Sequence, residues 1–441
     1  IESFQILKDG SATSIYGAKA MAGVIVVTTK KGKAGQTKIS YTGEYTMRLK
    51  PSYSQFNIMN SQDQMSVYQE LQQKGYLNYG RVSNFSESGI YGKMYDLISS
   101  YDPANGQFGL PYTDEAIAGY LREAEYRNTD WFDLLFSQAI QHNHSISIST
   151  GTDRSQTYIS ASVMMDPGWT KSSSVERYTA NMNNTFKITN KLSFNIISNA
   201  NFRKQKAPGT LSSSLDAVNG EVKRDFDINP YSYAMNTSRC LDPDEFYRRN
   251  YAPFNIFSEL DNNYMDLSVL NFRLQGEFKY KPINKVELSA LASINRTNTS
   301  QEHFIKDDAN QAMAYREMGT TQIREDNSYL YSDPDDPYAL PITVMPNGGI
   351  YERTDRTMTS SEFRASVNYN DVFNEDHIIN LFGGYEATNT ERHNTWFRGW
   401  GMQYNMGEIP SYAYQVFKKS AEENTEYYGL INTFDRSLAY F

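Results

Sequence analysis

The stretch Asn271-Phe272-Arg273-Leu274-Gln275-Gly276-Glu277-Phe278-Lys279-Tyr280 alternates without a break. Phe272, Leu274, Phe278 and Tyr280 fall on one face, and Asn271, Arg273, Gln275, Glu277 and Lys279 fall on the other. A period of two is that of a β-strand, so this strand separates an apolar environment from a polar one. The pattern recurs. Ile39, Tyr41, Tyr45 and Met47 oppose Lys38, Ser40, Thr42, Glu44 and Thr46. Ile159, Ala161, Val163 and Met165 form another apolar row, as do Phe363, Ala365, Val367 and Tyr369, then Leu381, Gly383, Tyr385 and Ala387.

About ten segments behave this way, near 37–49, 140–150, 156–166, 177–188, 191–203, 267–280, 285–298, 360–370, 376–389 and 425–434. A soluble sandwich also alternates, but its strands usually run to about five or six residues. Most of these run longer and match the roughly nine to eleven residues of a tilted strand crossing a bilayer. The intervals between them alternate long and short. The short ones are 151–155, 189–190, 281–284, 371–375 and 435–437; the long ones are about 50–139, 167–176, 204–266, 299–359 and 390–424. Short turns at one rim and long loops at the other are the plan of an outer-membrane barrel.

Composition agrees with this reading and removes others. The chain has 441 residues, of which 39 % are hydrophobic and 14 % aromatic. No run approaches the roughly 18–20 apolar residues of a membrane helix, so any crossing is made by strands. The 42 Lys and Arg against 51 Asp and Glu give a net charge of -9, which argues against nucleic acid as a partner. The single cysteine, Cys240, excludes a disulfide framework and a four-cysteine metal site. The long loops hold Tyr, Phe and Leu that need burial, so they are expected to fold. Ser61 is expected to cap a helix over 62–74, Thr113 one over 116–127, and Asp242 one opening at Pro243.

Residues 1–35 do not follow the barrel pattern. Ile1–Leu7 alternates briefly, 8–10 reads as a turn, 11–16 as a short helix, and 24–29 as a buried strand. The glycines carry no phosphate-loop lysine behind them. This segment, IESFQILKDGSATSIYGAKAMAGVIVVTTKKGKAG, resembles the end of the plug domain of TonB-dependent outer-membrane receptors, and more narrowly the SusC/RagA class of nutrient transporters of Bacteroidota. The resemblance rests on Ile1-Glu2, Leu7-Lys8-Asp9, Ser11-Ala12, Tyr16-Gly17, Gly23-Val24-Ile25 and Thr28-Thr29-Lys30-Lys31-Gly32. Asn128, Asp130-Trp131 and His142-Asn143-His144 extend it, as do 202–211 and 224–233.

The resemblance implies an all-β, antiparallel transmembrane barrel of about 22 strands in the complete fold. Residues 1–35 would then be the C-terminal part of an α/β plug and 36–441 the N-terminal part of the barrel. A signal peptide, TonB box and early plug are missing, and Asp435-Arg436-Ser437 reads as a turn, so a truncated chain is expected rather than a small closed barrel. Implied partners are a SusD-like surface lipoprotein lid, the TonB–ExbB–ExbD complex, outer-membrane lipid, and an oligosaccharide or, for a minority of the class, a peptide. A dimer of transporter–lipoprotein pairs is also implied. Uptake of an oligosaccharide is the leading expectation; a peptide importer, a passive porin or a non-transporting glycan-binding β protein are the alternatives.

Candidate chemistry is sparse. Trp396, Trp400 and Tyr404 lie four apart in an outer loop and are candidates to stack on sugar rings, as are Tyr231 and Tyr233; the competing reading is a hydrophobic cluster or part of a lid interface. His142 and His144 share a strand face but lack a third ligand. Asp333, Asp335 and Asp336 lack calcium-loop spacing and read as a solvated loop. Cys240 has no nearby base. No catalytic residue, cofactor or metal site is expected, and no enzyme activity.

Overall fold

The computed structural model describes residues 2–8, 23–28, 30–209, 214–216, 221–223, 228–373, 377–413 and 429–440. The helix expected at 11–16 and part of each loop motif at 202–211 and 224–233 lie outside those residues. Ten long strands form one antiparallel sheet: β1 (Lys38–Arg48), β2 (Ala139–Gly151), β3 (Ser155–Asp166), β4 (Ser174–Lys187), β5 (Leu192–Pro208), β6 (Asn263–Ile283), β7 (Val286–Ile305), β8 (Gly349–Phe373), β9 (His377–Gln403) and β10 (Gly429–Tyr440). Each pairs with its sequence neighbours, and the two-residue piece Ile409–Pro410 pairs with the end of β9. Among the described residues β1 and β10 are edges, so the sheet is open.

Register fixes the two faces. Phe272 faces Ala200 on β5 and Arg296 on β7; Leu274 faces Ile294, and Phe278 faces Ala290. Those apolar rows are left uncovered: Ile39 is 66 % exposed, Leu381 61 % and Phe278 49 %. An uncovered apolar band across ten strands is stable only against another apolar phase. The opposite face is a ladder of polar contacts. Asn199 donates to Asn181 (2.8 Å), Asn271 to Asn295 (3.0 Å) and Thr297 (2.7 Å), and Ser289 bonds Ser366 (2.6 Å). Arg364 bridges Glu362 and Glu386 at 3.0 and 2.9 Å.

Strands β6 to β9 run 21, 20, 25 and 27 residues. They outrun the alternating segments, so the loops expected at 204–266, 299–359 and 390–424 are shorter than the sequence pattern suggested. The cause lies in the side chains: beyond Ile294 the outward positions are Arg296, Asn298 and Ser300, and beyond Ala387 they are Asn389, Glu391 and His393. Backbone pairing continues where apolar alternation stops. The turn expected at 435–437 is also corrected, because β10 runs straight through it. Asp435 meets Arg392 at 3.4 Å, while Arg436 meets Glu391 at 3.4 Å and donates to Asn389 at 2.9 Å, so cross-strand pairing holds these residues extended.

Two capping expectations change. Asn60, not Ser61, caps the helix Ser61–Gln73, and the Ser61 hydroxyl donates instead to Glu125 O (2.6 Å). No helix opens at Pro243: Asp242 Oδ1 accepts from Asp244 N in a turn, and the chain enters the strand pair Tyr247–Arg249 and Ala252–Phe254. Thr113 caps Asp114–Arg127 as expected. The strand Val24–Thr28 pairs antiparallel with Ser3–Leu7, but it is not buried, since Ile25 is 65 % exposed and no layer covers it among the described residues.

From that pair the chain crosses the start of the sheet. Asn183 Nδ2 donates to Lys30 O (3.2 Å), Gly35 N donates to Gly151 O (3.1 Å), and Thr37 bonds Thr150 (2.7 Å). At Gly32 a Cβ would stand 2.3 Å from Thr157 N and 2.6 Å from Thr150 O, so glycine is required there by contact with sheet backbone. At the other rim the long loops fold into three larger apolar clusters. Trp131, Phe132, Phe136 and Phe254 centre the first, Met65, Ile90 and Cys240 another, and Ile305, Met345, Ile350 and Trp400 a third that caps β7 to β9.

Candidate functional site

The structure sorts the five candidate aromatics into two groups. Trp400 is 3 % exposed and packs among Ile305, Ala309, Met345 and Ile350, edge-on to Tyr315 at 5.4 Å. Tyr404 follows β9 in a 3-10 turn, donates its hydroxyl to Ile350 O (2.8 Å), and has its phenol pKa pushed up by burial. Trp396 is half-buried on β9, two residues before Arg398, whose guanidinium lies 5.4 Å from its ring and 5.5 Å from that of Trp400. All three therefore sit on or beside a strand rather than in a free loop.

Tyr231 and Tyr233 lie on the helix Pro230–Asn236, which Asn229 caps by accepting from Tyr231 N and Ser232 N. Tyr231 stacks on Trp169 at 6.0 Å and remains 38 % exposed. Tyr233 turns inward against Trp131 (5.2 Å) and Phe254 (6.0 Å), and burial raises its pKa. Tyr233 also lines a cavity of about 680 Å³ with Asn229, Ser232, Asn236, Ser238, Arg248 and Arg249. A second cavity of about 860 Å³ shares Tyr247 and Arg248 with it and is completed by Asp96, Tyr251 and Thr320.

The wall between the cavities is the hairpin Tyr247–Arg249/Ala252–Phe254. Its turn places two non-glycine residues in the left-handed region, Asn250 at φ 51° and Tyr251 at φ 66°. That geometry suits a two-residue hairpin but costs about 1–2 kcal/mol at a tyrosine. Neighbouring groups hold it. Tyr251 N donates to Ser86 O (2.9 Å), Arg248 donates to Ser83 O (2.5 Å) and meets Asp96 at 3.2 Å. Asn310, 2 % exposed, donates to Arg249 O (2.7 Å), Ala252 O (3.1 Å) and Pro253 O (3.1 Å) and accepts from Asn250 (3.3 Å). The buried Glu259 accepts from Asn310 N, and burial pushes its pKa up to about 7. The alternation said nothing of these residues, because hairpin and clamp come from segments about sixty residues apart in sequence. The sole local signal was the cap residues Asn229 and Asn255.

The remaining candidates have simple environments. His142 and His144 stand on the outward face of β2 against Tyr45 and Tyr41, with Tyr41 Oη 2.6 Å from His144 Nδ1. No group of three metal-ligating side chains occurs among the described residues. Cys240 is fully buried, 3.4 Å from Ser61 O, and burial raises its thiol pKa. Asp333 and Asp336 each accept from a backbone amide two residues on, at 3.0 and 3.1 Å.

No family model matches the chain. It is 30 % identical over 184 residues to the TonB-dependent receptor SusC of Bacteroides thetaiotaomicron, covering 42 % of this chain and 14 % of that one. It is 28 % identical over 189 residues to the TonB-dependent receptor P3 of Formosa agariphila, covering 43 % and 14 %. Among solved structures, the RagAB peptide importer in its closed-closed state superposes with a TM-score of 0.62 at 18 % identity, covering 99 % of this chain and 43 % of that one. The open-open state gives 0.60 with 42 % of that chain covered. The chain thus spans under half the length of the proteins it matches. The uncovered apolar band and the polar opposite face agree with these likenesses: over the residues compared the chain is similar to SusC/RagA-like TonB-dependent receptors of the outer membrane, and its fold is that of the corresponding part of the RagAB importer.

Proposed function

We propose that this chain belongs to a TonB-dependent importer, with residues 1–35 as the end of its plug and 36–441 as the first part of its barrel. The observation that carries the reading is segment 30–37, held by hydrogen bonds and a glycine contact across the start of the sheet. Polar, replaceable contacts of that kind anchor a plug that can be pulled aside. TonB, ExbB and ExbD would supply the force and a SusD-like lipoprotein would cover the outer rim, with no catalytic step.

For the cargo, an oligopeptide is favoured over an oligosaccharide. Sugar stacking needs free ring faces, whereas Trp400 and Tyr233 are packed and the Tyr404 hydroxyl is engaged. The cavity beside Tyr233 offers amides, hydroxyls and the Arg249 guanidinium, which suit peptide backbone and carboxylate groups, while Arg248 is held by Ser83 O and Asp96. The RagAB neighbour is itself described as a peptide importer.

The test compares uptake of fluorescent decapeptides and maltooligosaccharides by cells with and without the full-length gene, with and without a protonophore. Peptide uptake that needs the gene and the proton gradient is expected. Gene-dependent, protonophore-sensitive sugar uptake alone would overturn the cargo and keep the importer. Protonophore-insensitive uptake would overturn the importer in favour of a porin.

A further inference from the structure

The hairpin between the two cavities turns its two arginines to opposite sides. In the pair Tyr247–Arg249/Ala252–Phe254, Arg249 stands opposite Ala252 and Tyr247 opposite Phe254, so these residues share one face, while Arg248 and Pro253 share the other. Arg248 is committed: it donates to Ser83 O (2.5 Å) and meets Asp96 at 3.2 Å, and both partners line the cavity of about 860 Å³. Arg249 lines the cavity of about 680 Å³ and not its neighbour. Its guanidinium lies 4.9 Å from the Phe254 ring centroid, and its charge opposes the burial that raises the Tyr233 phenol pKa. Both rings belong to the wall of that cavity. Among the described residues the Arg249 guanidinium makes no hydrogen bond and no ion pair.

A half-buried guanidinium is a rigid fork of N–H donors with no acceptor of its own, and donors left unmet away from water cost free energy. Two carboxylates stand nearby and set the charge this cavity accepts. Glu87 lines the same cavity and is exposed; Glu259 is buried beside the hairpin, with one oxygen given to Asn310 N. Neither forms an ion pair with Arg249 among the described residues. Both repel further negative charge, so one cation flanked by two acids suits a monoanion and opposes a phosphate dianion. Position then selects the monoanion. Beside Arg249 the wall is Phe254, Ile256 and Ile228, which are 8 %, 2 % and 4 % exposed, whereas Glu87 and Asn236 are exposed. The guanidinium therefore sits at the closed side of the cavity, where a chain entering past Asn236 arrives with its end.

We propose that Arg249 binds the free C-terminal carboxylate of the imported peptide as a bidentate pair against apolar walls. The inference rests on the peptide reading above and adds which end of the peptide this cavity reads. Ser232 and Asn236, nearer the mouth, supply hydroxyl and amide groups for the backbone that precedes the carboxylate. Arg249 is thus a specificity-determining residue: it separates peptides with a free carboxyl end from those whose end is amidated.

The test uses the full-length protein, purified from its own outer membrane in mild detergent with the partners that remain bound. Fluorescence anisotropy follows N-terminally labelled decapeptides of randomised sequence without Asp or Glu, prepared as the C-terminal acid and as the C-terminal amide. A third set is the amide with one internal Glu. The acid is expected to bind at least tenfold more tightly than either amide set. In Arg249→Gln the ratio of acid to amide affinity should fall to about one, and in Arg249→Lys, which keeps the charge without the fork, to about threefold. Hydrogen exchange over 247–254 reports whether the hairpin stays closed in each variant; should the Gln variant open it, the comparison of Lys variant with parent decides. Equal binding of acid and amide, a preference that survives in a closed Arg249→Gln hairpin, an undiminished preference in Arg249→Lys, or a Glu-bearing amide that matches the acid would overturn the inference and leave the peptide cargo standing. Absence of binding by all three peptide sets would overturn the cargo reading and this inference with it.

Discussion

Cells carrying Gly32→Val in the full-length protein are expected to become leaky, with susceptibility to a large, normally excluded antibiotic rising at least tenfold. The argument is steric. A Cβ at residue 32 would meet Thr157 N at 2.3 Å and the carbonyl oxygens of Thr150 and Thr157 at 2.6 Å. These are backbone atoms of paired strands β2 and β3, which cannot turn aside as a side-chain tip would. The segment must lift instead, at a cost of about 3 kcal/mol, and would take with it the contacts of Lys30, Gly35 and Thr37 to the sheet. If residues 1–35 are the plug, its anchorage to the barrel wall loosens. Gly383→Val, on the outward face with nothing within 4 Å of its Cβ, is the control and should change nothing. A tight membrane in cells that insert Gly32→Val normally would remove the anchoring role.

The second large effect is expected at Asn310. Replacing it by Leu strips partners from the carbonyls of Arg249, Ala252 and Pro253, all near the strained turn at Asn250 and Tyr251. Each buried carbonyl left unpaired costs about 1–3 kcal/mol, so the hairpin should open locally while the barrel persists. Hydrogen exchange over 247–254 should accelerate at least a hundredfold, with β6 and β7 unchanged. The same clamp has a pH sign. Glu259 holds its proton more tightly folded (about 7) than unfolded (4.5), so stability is greatest below 4.5, falls as pH rises through that interval, and levels above 7. The loss is about 3 kcal/mol at most. The protection of the hairpin, measured relative to the intrinsic exchange rate at each pH, should therefore be lower at pH 8 than at pH 5.5, and Glu259→Gln should remove that difference. Equal protection at both pH values and in both variants would show that the hairpin does not rely on this clamp.

Much of the sheet was legible because a strand between lipid and a polar interior must alternate, as Phe272 to Tyr280 does. The short-turn rim followed from the same pattern, since turns at 152–154, 188–191 and 284–285 leave little room for error. What was not legible had a common cause. Beyond the apolar band the outward face no longer has to be apolar, so Arg296, Ser300, Glu391 and Thr395 extend β7 and β9 without any apolar signature. Asp435-Arg436-Ser437 has turn chemistry, yet Arg392 and Glu391 hold it in a strand. The candidate aromatics were legible only as residue types. Neither exposure nor neighbours could be read for Trp400 or Tyr233, whose burial depends on Met345, Ile305 and Phe254 from remote segments.

The central claim is that one face of this sheet meets lipid and the other does not. Nitroxide labels placed one at a time through Cys substitutions at 271–280, in a Cys240→Ser background of the full-length protein in its membrane, test it directly. Collision with dissolved oxygen should peak at Phe272, Leu274, Phe278 and Tyr280 and fall at Arg273, Gln275, Glu277 and Lys279, with a period of two. A flat profile, or high collision with a water-soluble nickel chelate at Phe272 and Leu274, would contradict the account.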